Sequence, residues 1–230
     1  MKIPLTVALL REMAELYASE LSSMSIRSLY GVSDGKAVGT YVEVEFNRFI
    51  AARGYSYTQG NAAKGVDFPC VNVDLKVTSI KQPQSSTPFA NARQKIYGLG
   101  HHLLVMVYEK TDNHDDKTSM LKIHHVVFIA KEETADFQTT RGVRELLERG
   151  STATEIDAYL LGRDIPLESG ARMLLAHEIV ANPPALGRIT LSNALQWRVN
   201  YTRAIRQTLA EDALDTPAQD DGEVGESVSP

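Results

Sequence analysis

The chain has 230 residues, 43% hydrophobic and 23% charged, with 15 Gly and 9 Pro, which excludes a fibrous or wholly disordered protein. Its single cysteine, Cys70, excludes an internal disulfide and a Cys-rich zinc cluster and suits a reducing, cytoplasmic setting. The net charge of -5 speaks against DNA only at first sight: residues 211–230 hold seven of the 29 acids and no Lys or Arg, which leaves 22 acids against 24 bases before them.

The N-terminus places Arg11 and Glu12 too early for a secretory signal, and no stretch approaches the ~18 apolar residues of a membrane span. From Pro4 to about Ser22, Leu5, Leu9, Met13, Tyr17 and Leu21 recur every four residues beside Leu16, which predicts a helix with Pro4 in its first turn. A second helix is expected from about Val38 to Arg53, with Val42, Phe46, Phe49 and Ile50 on one stripe and Gly54 closing it. The period then changes from 3.6 to 2. Tyr55 to Thr58 reads as a short strand and Gly65 to Ser79 as a strand pair or one bent strand.

Pro83 to Pro88 is a polar loop by composition, followed by a helix from about Phe89 to Tyr97 that ends near Gly98 and Gly100. Leu103 to Tyr108 and Leu121 to Ala130 read as strands joined by the polar segment Thr111 to Ser119. Helical pattern resumes near Thr140. Thr152 and Glu155 form a capping-box signature, and Ser169 to Val180 and Ser192 to Ala213 predict two more helices. The order implies a mixed α/β fold divided as an N-terminal helix and loop (1–37), a core (38–135), a helical region (136–210) and a disordered acidic tail (211–230).

The segment from Gly65 to Ser79 carries the chemistry. From residue 71, Val71, Val73, Leu75 and Val77 alternate with Asn72, Asp74, Lys76 and Thr78, so one face packs while the other meets solvent or substrate. Asp74 and Lys76 therefore project side by side, and Asp67 reaches the same patch if the chain reverses between Pro69 and Asn72. Two carboxylates beside a lysine suit metal-assisted phosphodiester hydrolysis, because Mg²⁺ prefers hard carboxylate oxygens, water and phosphate. On an ordinary amphipathic edge strand the same residues form only a solvated ion pair, and that reading is commoner for a bare Asp-x-Lys.

Asp67, six intervening residues and then Asp74-Leu75-Lys76 resemble the metal-binding signature of the PD-(D/E)XK nuclease superfamily. Val42-Glu43, with Phe46, Phe49-Ile50 and Gly54-Tyr55 behind it, resembles the preceding helix of Mrr-like members, and Glu43 fits that spacing better than Glu45. Gln94 is a residue type often found after the lysine in relatives. The resemblance covers about residues 38 to 110, with Pro69 after Asp67-Phe68 where the superfamily usually has a proline before the aspartate. It implies a restriction-endonuclease-like core of α-β-β-β-α-β order, Mg²⁺ held by Glu43, Asp67 and Asp74, and Lys76 acting with them in catalysis. A chain of this size without a P-loop motif looks most like a type II restriction endonuclease, which implies a homodimer acting on double-stranded DNA and a cognate DNA methyltransferase as counterpart.

DNA contacts are expected from Gln82, Gln84 and Ser85 in the polar loop, from Gln94, and from Asn193, Gln196, Asn200, Arg203 and Arg206 on the outer face of the last helix. The pairs His101-His102 and His124-His125 point to opposite strand faces and have no zinc-ligand spacing, so a structural role is expected for them. A structure-specific or repair nuclease of the same fold and a non-enzymatic DNA-binding protein are the alternatives.

Overall fold

The computed structural model describes residues 3–57, 66–88, 90–192 and 196–215, with the side chains of 88, 196, 197 and 213–215 excepted. A two-residue strand, β1 (Ile3–Pro4), precedes helix α1 (Val7–Ser22), so Pro4 lies in a strand rather than a first helical turn. Thr6 caps α1 by accepting the Leu9 N–H. The buried stripe of α1 is Leu10, Met13, Ala14, Tyr17, Ala18 and Leu21, while Leu16 stays exposed. Helix α2 (Gly35–Ala52) is capped by Asp34 and buries Val38, Val42, Phe46, Phe49 and Ile50, the expected stripe extended by one turn. Gly54, at φ 81°, takes the left-handed conformation that ends it. Strand β2 (Tyr55–Ser56) then pairs in parallel with β1.

The active strand is shorter than the alternation suggests: β3 spans Val73–Ser79. Before it, the chain reverses from Phe68 to Val73, which exchange backbone hydrogen bonds of 2.9 and 3.2 Å across the turn. Asn72 completes the reversal at φ 54° and donates to the Gly100 carbonyl. The polar segment expected as a loop is strand β4 (Gln84–Pro88), and the helix expected from Phe89 is one turn, α3 (Gln94–Tyr97). Two 12-residue strands follow, β5 (His102–Asn113) and β6 (Thr118–Ile129), longer than their apolar stretches. Helices α4 (Phe137–Glu148), α5 (Ala153–Gly162) and α6 (Ser169–Ala181) come next, and the Thr152/Glu155 capping box is present at α5.

The helix expected over Ser192 to Ala213 is replaced by strands β7 (Thr190–Leu191) and β8 (Gln196–Asn200) followed by helix α7 (Thr202–Asp215). In β8 Val199 is buried and Arg198 exposed, a period of two imposed by pairing with β4. Glu211 to Asp215, expected in the disordered tail, continue α7, and Glu211 pairs with Arg188 at 3.6 Å. The expected tail beyond 215, and Thr58, Gly65, Phe89 and Asn193, lie outside the described residues.

Two three-stranded sheets result. One has the order β3-β5-β6, with β3 parallel and β6 antiparallel to β5; the other, β4-β8-β7, is antiparallel. The first is the mixed sheet of an α/β fold. Leu104, Met106 and Tyr108 of β5 join the core beneath α1 and α2, whereas Leu103, Val105 and Val107 pack on Val199, Tyr201, Ala204 and Ile205 from the C-terminal elements. Where β5 is covered on both faces, from Leu103 to Tyr108, it is continuously apolar. A third core joins Ala92 and Ile96 to the α4–α6 helices. Among the described residues no helix is long and apolar enough to cross a membrane.

Candidate active site

Asp74, Lys76 and Thr78 occupy one face of β3, in register with Leu103, Val105 and Val107 of β5. That face is not open to solvent as the alternation implied. Asp74 is only 4% exposed, because β8 and α7 fold back over this side of the sheet. Lys76 keeps part of its surface and places Nζ 2.7 Å from Asp74 Oδ2. Thr78 turns inward, donating to the carbonyls of Gln82 and Gln84 at 3.2 Å and accepting the Gln84 N–H at 3.0 Å, which fastens β4 to the end of β3.

The reversal before β3 brings Asp67 to the same place. The backbone N–H of Leu75 donates to Asp67 Oδ2 at 2.8 Å, so one carboxylate oxygen is fixed on the strand that carries Asp74 and Lys76. Burial pushes the Asp67 carboxyl up to about 6, and hydrogen bonding to Asp74 and repulsion from it act in the same direction, while the Leu75 N–H and Lys76 oppose them. Two carboxylates thus share a small volume with one ammonium as partial compensation. Burial also raises Glu43, with the charge of Asp67 adding to the effect and Lys76 opposing it, so this residue of α2 faces the same group. Glu45 is turned elsewhere and pairs with Arg48 at 2.5 Å.

This donor set fits Mg²⁺. The ion takes one or two protein carboxylates and completes an octahedron with water and substrate oxygens, and Asp67 and Asp74 supply two hard oxygen donors with Glu43 beside them. Among the described residues no group of three His, Cys, Asp or Glu side chains is placed to hold a metal ion, so an ion here would rest on the two aspartates, water and substrate oxygens.

His101, for which the sequence predicts a structural role, stands beside the site. Its Nε2 lies 3.7 Å from Asp74 Oδ2, is buried, and makes no hydrogen bond among the described residues. Burial, and next the charge of Lys76, lower its pKa and favour the neutral ring. His102 has the structural role expected, accepting the Lys131 N–H at 2.9 Å and stacking on Phe128. His124 pairs with Glu109 at 3.0 Å. Only the parallel register of β3 with β5 brings His101 to Asp74, and register is not written in local periodicity.

A cleft of about 1320 Å³ opens from Lys76, with Gln82, Gln84 and Ser85 on its wall together with Lys36, Lys81 and Arg198. The remaining expected contact residues are placed differently. Gln94 donates to the Leu99 carbonyl at 3.3 Å, with Oε1 buried and without a hydrogen-bond partner among the described residues. Asn200 accepts the Thr202 N–H at 3.0 Å at the start of α7. Arg203 stacks its guanidinium 3.3 Å from the centre of the Phe137 ring, Arg206 is exposed on α7, and Gln196 lies on β8. Sequence reasoning passes over these three bases: Lys36 precedes the helix pattern, Lys81 stands in a short turn, and Arg198 falls within the expected last helix but outside its outward-facing set.

No solved structure matches the chain. The family described as type II restriction enzyme NspV matches it over residues 4–215. A type II restriction enzyme NspV from a Nostoc species is 46% identical over 210 residues, covering 91% of this chain and 95% of the relative. The family match extends across α1, the β3 site and the C-terminal strands, and on it and the relative the chain belongs to the NspV family of type II restriction enzymes.

Proposed function

We propose that Glu43, Asp67, Asp74 and Lys76 form the catalytic centre with which this restriction enzyme hydrolyses phosphodiester bonds in double-stranded DNA. The enzyme is a site-specific deoxyribonuclease of type II. One observation carries the catalytic assignment: the turn at residues 69–72 seats Asp67 on the Leu75 N–H, beside the Asp74–Lys76 pair, whose lysine lines the cleft.

Asp67 and Asp74 would hold Mg²⁺, with Glu43 contributing from α2; the ion, when bound, supplies Lewis acidity at the scissile phosphoryl group. The protein's own part is positional and electrostatic. The Leu75 N–H and the Lys76 ammonium keep the two aspartates together against their repulsion. Lys76, the more exposed partner of the pair, faces the cleft and neutralises charge that develops on the phosphoryl oxygens or orients the attacking water. Burial of Asp74 and closure of the sheet face by the C-terminal elements lower the local dielectric and strengthen these interactions.

The α-β-β-β-α-β chain order from α2 to β5 supports a PD-(D/E)XK nuclease core of the restriction-endonuclease kind, within residues 38–135. Residues 136–210 would serve DNA binding and dimerisation. Gln82 and Gln84 on the cleft wall are the favoured DNA contacts of those expected, while the Ser85 hydroxyl is engaged with Tyr201. A homodimer matches a two-fold duplex site and cuts both strands, and a cognate methyltransferase protects host DNA in the cytoplasm. Incubation of the purified protein with unmethylated plasmid and phage DNA in Mg²⁺ is expected to give discrete fragments, abolished by EDTA. No cleavage of any DNA, or cutting confined to junctions and flaps, contradicts this reading.

A further inference from the structure

The far wall of the cleft is built from the two segments whose structure periodicity misassigned. Strands β4 and β8 run antiparallel with Gln84 opposite Asn200, Ser85 opposite Val199 and Ser86 opposite Arg198. Val199 and Thr87 are buried, and Ser85 hydrogen-bonds the buried Tyr201 hydroxyl, which anchors one face of this ribbon. By strand alternation, Gln84, Ser86, Arg198 and Asn200 share the opposite face. Gln84, Ser86 and Arg198 line the cleft that also contains Lys76.

Arg198 differs from several of the chain's other arginines. Arg93 pairs with Glu178, Arg172 with Asp157, Arg188 with Glu133 and Glu211, and Arg203 lies on Phe137. Arg198 is exposed and forms no ion pair among the described residues, while its backbone N–H is held by Ser192 Oγ at 3.0 Å. Its planar fork is thus presented from a fastened strand, beside an amide and a hydroxyl. A two-stranded antiparallel ribbon fits the major groove of B-DNA, where arginine reads guanine O6 and N7 bidentately, glutamine reads adenine, and serine reaches either. Lys36 and Lys81, point charges on the same cleft, suit the phosphates.

We propose that the β4–β8 ribbon reads the DNA bases and that Arg198 is a sequence-discriminating residue, contacting a guanine edge, with Gln84 and Ser86 beside it. This rests on the chain acting as a site-specific deoxyribonuclease. The test compares cleavage by the full-length protein, with Mg²⁺, of duplexes carrying its site and every single-base-pair variant of that site. Arg198→Ala is expected to reduce discrimination by about 10- to 100-fold at one guanine-containing position, and Arg198→Lys not to restore it. Lys36→Ala and Lys81→Ala are expected to slow all duplexes about equally. Circular dichroism checks that each variant folds. If Arg198→Ala slows every duplex equally, or keeps wild-type discrimination while the wild type cuts its site, Arg198 is not a base reader and this inference alone falls. A wild-type protein that cuts no DNA overturns it together with the catalytic reading.

Discussion

Phe68 carries no chemistry, yet it determines where Asp67 stands. Its ring is fully buried between Phe46, 5.9 Å away, and Tyr57, 5.4 Å away, and its backbone forms both hydrogen bonds that close the turn onto Val73. Phe68→Ala is expected to cost about 3–5 kcal/mol, read as a lower urea midpoint, and to reduce cleavage even at a temperature where the variant remains folded. The juxtaposition of Asp74 and Lys76 could be read from alternation alone, and so could the return of Asp67, because Pro69 and Asn72 suit a reversal. The burial of Asp74 could not. It depends on Tyr201 and its neighbours, more than a hundred residues further along the chain, packing over that face of the sheet. The same limit concealed His101, whose position follows from a strand register fixed by tertiary pairing.

At the scale of elements, caps and stripes were legible where they are local. The α2 stripe and the Thr152/Glu155 box are set by residues within a few positions of each other. β8 and β4 were not legible, since each is short and polar and becomes a strand only by pairing with the other across a separation of about a hundred residues. Two caps of similar form should differ in value for the same reason. Thr152 is exposed and serves α5 alone, so Thr152→Ala is expected to cost about 1 kcal/mol. Asp136 is buried and accepts from the Thr139 N–H and hydroxyl and from the Leu191 N–H, which joins α4 to β7. Asp136→Ala leaves those donors buried and unpaired and is expected to cost about 3 kcal/mol or more. Urea unfolding of the two variants side by side measures the difference.

For the whole molecule, charge is distributed by position rather than by total. The cleft wall carries Lys36, Lys76, Lys81, Lys110 and Arg198 against Asp34, Glu109 and Asp112, a net positive lining in a chain whose total is -5. Asp112 helps to hold that wall, accepting from Ser119 Oγ at 2.6 Å and from the Gly31 N–H at 3.2 Å, and pairing with Lys110. Hydrogen bonds from Lys110 and next from Ser119 hold its carboxyl down to about 2, below the usual aspartate value of about 3.9. A depressed carboxyl contributes stability that is complete above the unfolded value and is lost as pH falls through the folded one. The difference in Tm between the wild type and Asp112→Asn is therefore expected to be constant above about pH 5 and to shrink from pH 4 toward pH 2. The central claim, that the Asp67–Asp74–Lys76 group is where the phosphodiester bond is broken, is tested most directly by the single-turnover cleavage rate of Lys76→Ala at saturating enzyme and Mg²⁺, on a duplex that the wild type cuts. A loss of about 100-fold or more with DNA binding and Tm retained is the predicted result; a rate equal to that of the wild type would contradict it.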